Sequence, residues 1–230
     1  MKSIGMIGGM SCESTVLYYR LINQEVKRRL GGHHNGRSVM VTVDFDDVER
    51  MQRTGDWDAL GELMAETARQ IERAGADFIV LCTNTTHKVA GWIESAAAIP
   101  LLHIADATAE AIQNAGEQRV GLLGTKFTME QTFFRERLEC RGIDVLIPDE
   151  ASRDTIHQVI YGELVHGVTR PESKEAFRSV IGDLEKRGAQ SVILGCTEIG
   201  MLIQPADSPI PLHDTTLVHA SAAVDRALGG

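Results

Sequence analysis

The chain reads as an α/β protein of two similar lobes, each a short parallel sheet flanked by helices, and three observations predict this. Short apolar, β-branched runs alternate with stretches of helical periodicity from end to end. Three segments recur in one order at nearly one offset: "IGMIGG" (4–9) as "VGLLGT" (120–125), "IERAGADFIVLCT" (71–83) as "LEKRGAQSVILGCT" (184–197), and "IPLLHIADAT" (99–108) as "IPLHDTTLVHA" (210–220). With 43% hydrophobic and 24% charged side chains, the 230 residues have the composition of a folded globular protein. That length suffices for two cores of roughly 100 residues each.

The strands come first. "SIGMIGG" (3–9), "RSVMVTVDF" (37–45), "DFIVLC" (77–82), "RVGLLGT" (119–125) and "QSVILGC" (190–196) are short apolar runs, bounded by Gly or Asn, of the kind that form buried parallel strands. Between them, Leu60, Leu63, Met64, Ala68 and Ile71 mark one helix face, and Phe177, Val180, Ile181 and Leu184 another. Alternation of this sort gives parallel layers joined by right-handed crossovers. The repeat adds a pseudo-twofold axis relating the lobes, with the active site in the cleft between them. The expected division is 1–100 plus 212–230 for the first lobe and 101–211 for the second.

Bulk properties exclude several functions. The net charge is −9 and no basic block exceeds "KRR" at 27–29, so neither nucleic acid nor an anionic membrane is an expected partner. No apolar run nears the roughly 20 residues of a membrane span, and "MKSIGMIGGM" lacks a signal-peptide core. A cytoplasmic protein is the expectation. Its four cysteines, Cys12, Cys82, Cys140 and Cys196, have neither CxxC nor zinc-type spacing, so free thiols are expected.

Two of those thiols stand in repeated context. Cys82 and Cys196 each end a strand at the carboxyl edge of a sheet, where open α/β folds bind ligands. "TNTTH" follows the first and "TEIG" the second, each consistent with a helix N-terminus capped by Thr or Asn. Such a turn would hold a carboxylate and lower a thiol's pKa. A thiolate and a thiol on opposite sides of one carbon would take a proton from one face and return it to the other, inverting the centre. Cys12, in the first strand–helix loop, and Cys140 lack such context and read as structural. "IGMIGGM" lacks the GxGxxG spacing of a dinucleotide site, and no lysine suggests a pyridoxal Schiff base. Cys82, His87, His103, Cys196 and His213 match no known metal spacing, so neither metal nor cofactor is expected. His87 either faces the ligand or caps the helix.

The motifs "GMIGGMSCEST" (5–15), "LCTNTTHKV" (81–89), "LLGTKFTM" (122–129) and "GCTEIG" (195–200) together resemble the aspartate/glutamate racemase family, in order and over essentially the whole chain. The resemblance implies a cofactor-independent isomerase acting on an amino acid by two-base proton transfer, with Cys82 and Cys196 as the bases. It places Met10, Ser11, Thr83, Asn84, Thr85, Thr125, Thr128, Thr197 and Glu198 around the substrate. It also implies a homodimer and a final segment, "TTLVHASAAVDRAL", packed on the first lobe.

The chain departs from that pattern where side-chain specificity is set. Aspartate racemases hold the second carboxylate with an arginine after the second strand and a lysine in the second lobe. Here the first region is "VDFDDVERMQRTGDWD" (43–58), offering Arg50, Gln52 and Arg53, and Val165 stands at the lysine position, followed by His166. The substrate is then either neutral or an acid held by Arg53, Gln52 or His166. Two other readings remain: a related diacid isomerase or decarboxylase with a nucleophilic cysteine, and a non-catalytic two-lobed amino-acid-binding protein.

Overall fold

The computed structural model describes residues 1–229. They divide into two compact units, residues 1–104 with 219–229 and residues 105–218. The first contains β1 (Ile4–Gly8), α1 (Cys12–Leu30), β2 (Ser38–Thr42), α2 (Phe45–Thr54), α3 (Trp57–Arg73), β3 (Phe78–Leu81), a 3₁₀ turn at Thr85–Val89, α4 (Ala90–Ala96) and β4 (Leu101–Leu102). Then α5 (Ile104–Asn114) leads into the second unit.

All four strands of the first unit run parallel in the order β2-β1-β3-β4. The central strands β1 and β3 are buried along their whole length, which is why they read as unbroken apolar runs. Successive side chains on a strand alternate faces. Ile7, Ile79 and Leu81 accordingly join Leu60, Met64, Ala68 and Ile71 of α3 in one core layer. Ile4, Met6, Phe78, Val80 and Cys82 join Tyr18, Ile22 and Val26 of α1 in the other. The edge strand β2 differs from the expected buried strand: Ser38, Met40 and Thr42 are exposed, while Val39 and Val41 are half-buried.

The second unit repeats this plan. It contains β5 (Arg119–Gly124), α6 (Lys126–Glu130), α7 (Thr132–Glu139), β6 (Asp144–Leu146), α8 (Glu150–Gly162), a 3₁₀ turn at Leu164–His166, α9 (Pro171–Lys186), β7 (Ser191–Gly195), α10 (Ile199–Leu202), a 3₁₀ turn at Pro205–Asp207 and β8 (Leu212–Asp214). Its parallel sheet has the order β6-β5-β7-β8, the same strand order as the first. Phe177, Ile181 and Leu184 are the buried face of α9.

The last helix, α11 (Thr215–Leu228), returns the chain to the first unit at His219. There Ala220, Ala223, Val224 and Ala227 complete the core layer of Ile4 and Tyr18. Residues 212–218, read from the sequence with the first lobe, lie in the second unit, because β8 pairs parallel with β7 from Val192–Leu212 to Leu194–Asp214. No described helix is long and apolar enough to cross a membrane.

Candidate active site

In the first unit, the loop after β1 and the turn after β3 are tied together. Gly9 has φ +96°, and a Cβ there would stand 2.1 Å from the Val43 carbonyl oxygen, so only glycine fits this turn. Its N–H donates to Thr15 Oγ1 at 2.8 Å, and that hydroxyl donates to the Ser11 carbonyl at 2.8 Å. Ser11 caps α1 by accepting from the Ser14 N–H. The Ser14 hydroxyl lies 3.2 Å from the carbonyl oxygen of Cys82, to which it donates across to the neighbouring strand.

Cys82 extends the β3 ladder, its N–H donating to the Ile7 carbonyl at 2.9 Å, and its thiol is fully buried. The residues after it, Thr83, Asn84, Thr85, Thr86 and His87, are all buried. Polar side chains in such numbers inside a core need partners or a ligand. Gln52 of α2 donates from Nε2 to Thr86 Oγ1 at 3.2 Å. His87 Nδ1 lies 2.8 Å from the Thr83 carbonyl oxygen, and His87 Nε2 is 3.2 Å from the Ile104 N–H.

The second unit builds a similar turn from different side chains. Thr125 caps α6, accepting from the Thr128 N–H at 3.3 Å, with the two hydroxyls 3.2 Å apart. Gly124 and Gly195 let β5, β7 and Thr128 approach: a Cβ on Gly195 would stand 2.8 Å from the Leu123 carbonyl oxygen and 3.3 Å from Thr128 Cγ2. Cys196 follows, buried, with its Sγ 3.1 Å from Glu198 Oε2. The Thr197 hydroxyl donates to the same oxygen at 2.6 Å. Asp214, capping the start of α11 through the Thr216 N–H at 2.8 Å, lies against Gly200.

Electrostatics run opposite to the expected helix-terminus effect. Neither Asn84 nor Glu198 makes a side-chain cap bond, and the segments that follow are a 3₁₀ turn and the four-residue α10, too short to supply an appreciable dipole. Burial therefore dominates and pushes the Cys82 thiol well above its ordinary value. Cys196 is pushed the same way, by burial first and then by the negative charges of Glu198 and Asp214. Both thiols rest in the neutral form. Burial also raises the Asp214 carboxyl.

Two β-sheets of one strand order, each ending its third strand of the repeat in a buried thiol, are what a duplicated α/β domain with paired functional groups would leave. The comparisons agree: a profile of the Asp/Glu/hydantoin racemase family matches residues 7–223. The chain belongs to this family. A Yersinia pestis protein proposed as an Asp/Glu racemase has a solved structure that is 50% identical, with a TM-score of 0.93, covering 99% of this chain and all of that one. The aspartate racemase homologue of Pyrococcus horikoshii OT3 is 32% identical, with a TM-score of 0.85 over the same shares. The broad-specificity amino-acid racemase RacX of Bacillus subtilis (strain 168) is 23% identical over 229 residues, 98% of each chain. The named members of the family among these relatives are isomerases.

Within this racemase scaffold, the first unit buries Ser11, Gln52, Thr83, Asn84 and Thr85 as well as Cys82, with Gln52 reaching the turn after Cys82 through Thr86 and Ser11 linked to the Cys82 carbonyl through Ser14. The second buries Thr125, Thr128, Thr197 and Glu198 as well as Cys196, with Glu198 in contact with its thiol. Met10 is buried in the core layer with Ile7, Val48 and Leu60. Arg53 is exposed and paired with Glu49 at 3.2 Å, and Arg50 is likewise exposed and paired with Asp47. Val165 is half-buried and His166 exposed in the turn after α8. Sequence reasoning passed over Ser14, Thr86 and Asp214. The i, i+3 spacing of Ser11 and Ser14 at a helix start was the one available signal, while Asp214 is recognisable only once β8 is seen beside β7. Among the described residues, no three His, Cys, Asp or Glu side chains are grouped to hold a metal ion.

Proposed function

We propose that the protein interconverts L- and D-amino acids by proton transfer at the α-carbon, with Cys82 and Cys196 acting on opposite faces. The observation that carries this reading is the pair of buried thiols, one at the end of the third strand of each repeat. A buried thiol with a raised pKa is inert toward most reagents. It ionises readily only when a positive charge enters its surroundings, and an amino acid brings an ammonium group with it. For one enantiomer, the Cys196 proton passes to Glu198 Oε2. The Cys196 thiolate then removes the α-proton, and the Cys82 thiol delivers its own proton to the other face. The opposite enantiomer runs the sequence in reverse, starting from the form so left, with Cys82 as thiolate and Glu198 protonated. Loss of the Glu198 proton to water and uptake of one from water by Cys82 restore the first form. Ser11, Thr83, Asn84, Thr85, Thr125, Thr128 and Thr197 supply the hydrogen bonds that stabilise the carboxylate and the developing charge.

The same reading extends to the substrate. The buried polar group that α2 presents to the turn after Cys82 is the neutral Gln52, while Arg50 and Arg53 are held at the surface by Asp47 and Glu49. With Val165 in place of a lysine, the side-chain pocket favours uncharged amino acids, because a buried second carboxylate would lack a cation. A cytoplasmic homodimer completes the proposal, and sedimentation equilibrium tests its assembly.

The test is proton NMR of a panel of L-amino acids, acidic and neutral, in deuterated buffer with the wild type, Cys82→Ala and Cys196→Ala. We expect the α-proton signal to disappear with inversion for neutral members, and either substitution to abolish inversion. A wild type that exchanges no member of the panel refutes the racemase reading; a single alanine variant that still inverts refutes the two-thiol mechanism.

A further inference from the structure

His87 lies outside the groups assigned to the reaction, yet it is 2% exposed and bonded at both ring nitrogens. The Thr83 carbonyl can only accept and the Ile104 N–H can only donate. Nδ1 therefore carries the proton and Nε2 the lone pair, which fixes one neutral tautomer. The ring bridges the turn after Cys82 and the first residue of α5.

Two more buried imidazoles lie against the His87 ring. His103 packs edge-to-face on His87 with centroids 4.5 Å apart. His219 lies 5.9 Å from His87, donates from Nε2 to the Leu102 carbonyl at 2.9 Å and accepts the Tyr18 hydroxyl at Nδ1. Burial lowers the His219 pKa to about 4, so it too is neutral over the working range. Residues 102–104 are thus held at both ends by neutral rings of fixed tautomer. The turn after Cys196 has no such ring: the residue five beyond Cys196 is Met201, which is exposed.

We infer that His87 is a positioning residue for Cys82, its Nδ1–H holding the Thr83 carbonyl so that the turn presents the thiol and its neighbouring peptide groups in one orientation. A trans peptide sets C=O and N–H antiparallel, so fixing the Thr83 oxygen on the imidazole also directs the Asn84 N–H to the opposite side. Without the ring, the Thr83 carbonyl is left buried and short of its donor, and the turn shifts to satisfy it.

The kinetic arm of the test rests on the racemase reading; a spectroscopic arm does not. The variants are His87→Leu, which fills the space without a donor, and His87→Asn, whose amide places a donor near the Nδ1 position. Using the panel amino acid that the wild type exchanges fastest, we expect kcat/KM to fall about 10²-fold in His87→Leu, the scale of a misplacement near 1 Å. His87→Asn is expected to stay within about fivefold of wild type, with an unchanged pH profile because the ring it replaces carries no charge. Two variants equally impaired, or a His87→Leu enzyme within threefold of wild type, overturn the inference. Independently, ¹H–¹⁵N correlation of the ring nitrogens is expected to show an Nδ1–H tautomer for His87; an Nε2–H tautomer or an imidazolium at neutral pH overturns it. If the wild type exchanges no amino acid, the racemase reading fails and the tautomer measurement alone decides the geometry.

Discussion

Raising the pH is the perturbation that reads the two thiols most directly. Cys82 and Cys196 are buried, and both have pKa values raised in the fold, first by burial. In the unfolded chain each returns to about 8.5. A folded value above the unfolded one means that the unfolded state releases its proton first. Stability is therefore full below about pH 8.5 and falls as the pH climbs, by about 1.4 kcal/mol per unit for each thiol that stays protonated in the fold. At about pH 10 that is about 2 kcal/mol per thiol, and about 4 kcal/mol for the pair.

Cys12 and Cys140 are exposed and stand unchanged in both proteins compared. The assay is urea denaturation between about pH 7 and pH 10 for the wild type and for the double variant Cys82→Ala, Cys196→Ala, with the slope of unfolding free energy against pH compared directly. Tyrosine and lysine titration is common to both proteins and cancels. Parallel slopes would mean that the thiols ionise as easily folded as unfolded, and the argument that they rest neutral would be wrong.

Three further outcomes are expected. Glu198→Gln removes the carboxylate 3.1 Å from Cys196 Sγ, and chiral chromatography from L and from D substrate should show kcat/KM reduced about 10²-fold or more in both directions; a loss under threefold would remove Glu198 from the proton path. Arg53→Ala should leave kcat/KM within about twofold for every substrate, since the guanidinium is exposed and paired with Glu49, and a selective tenfold loss on L-aspartate would restore it as a carboxylate anchor. Gly195→Ala puts a Cβ 2.8 Å from the Leu123 carbonyl oxygen and should cost about 1–3 kcal/mol, read as a Tm lower by several degrees; an unchanged Tm would show that the strand ends yield freely.

The sequence made the central architecture visible because burial on both faces forces a distinctive composition. β1, β3, β5 and β7 are short apolar runs, and their repetition exposes the duplication. The three strands it did not show, β4, β6 and β8, have two or three residues each, below the length at which alternation carries a signal. β2 was read as buried because valines fill it, although as an edge strand it buries only one side. At the site, the thiols were legible from position, but their electrostatics were not. A Thr- or Asn-rich turn after a strand suggests a capped helix, and only coordinates reveal that a 3₁₀ turn follows Cys82 and that burial outweighs any dipole. For His87 the sequence offered a choice between facing the ligand and capping the helix, and the bridge it makes was not legible because its second partner, Ile104, lies 17 residues away.

The two thiols are matched in position and unmatched in surroundings. Cys82 is raised by desolvation alone, its turn held by a neutral imidazole, whereas Cys196 faces the carboxylate of Glu198 and lies within the field of Asp214. That difference cannot favour one enantiomer at equilibrium, since mirror-image amino acids have equal free energy in water. In the proposed reaction kcat/KM must then be the same from L and from D, whatever the protein does. What the asymmetry can set is how the barrier is divided. The thiol beside Glu198 has a fixed acceptor for its proton, while Cys82 depends on the charge that the ligand brings, so the form of the enzyme left after each turnover differs with direction. The unequal environments therefore belong in separate kcat and KM values for the two enantiomers, each pair keeping one ratio.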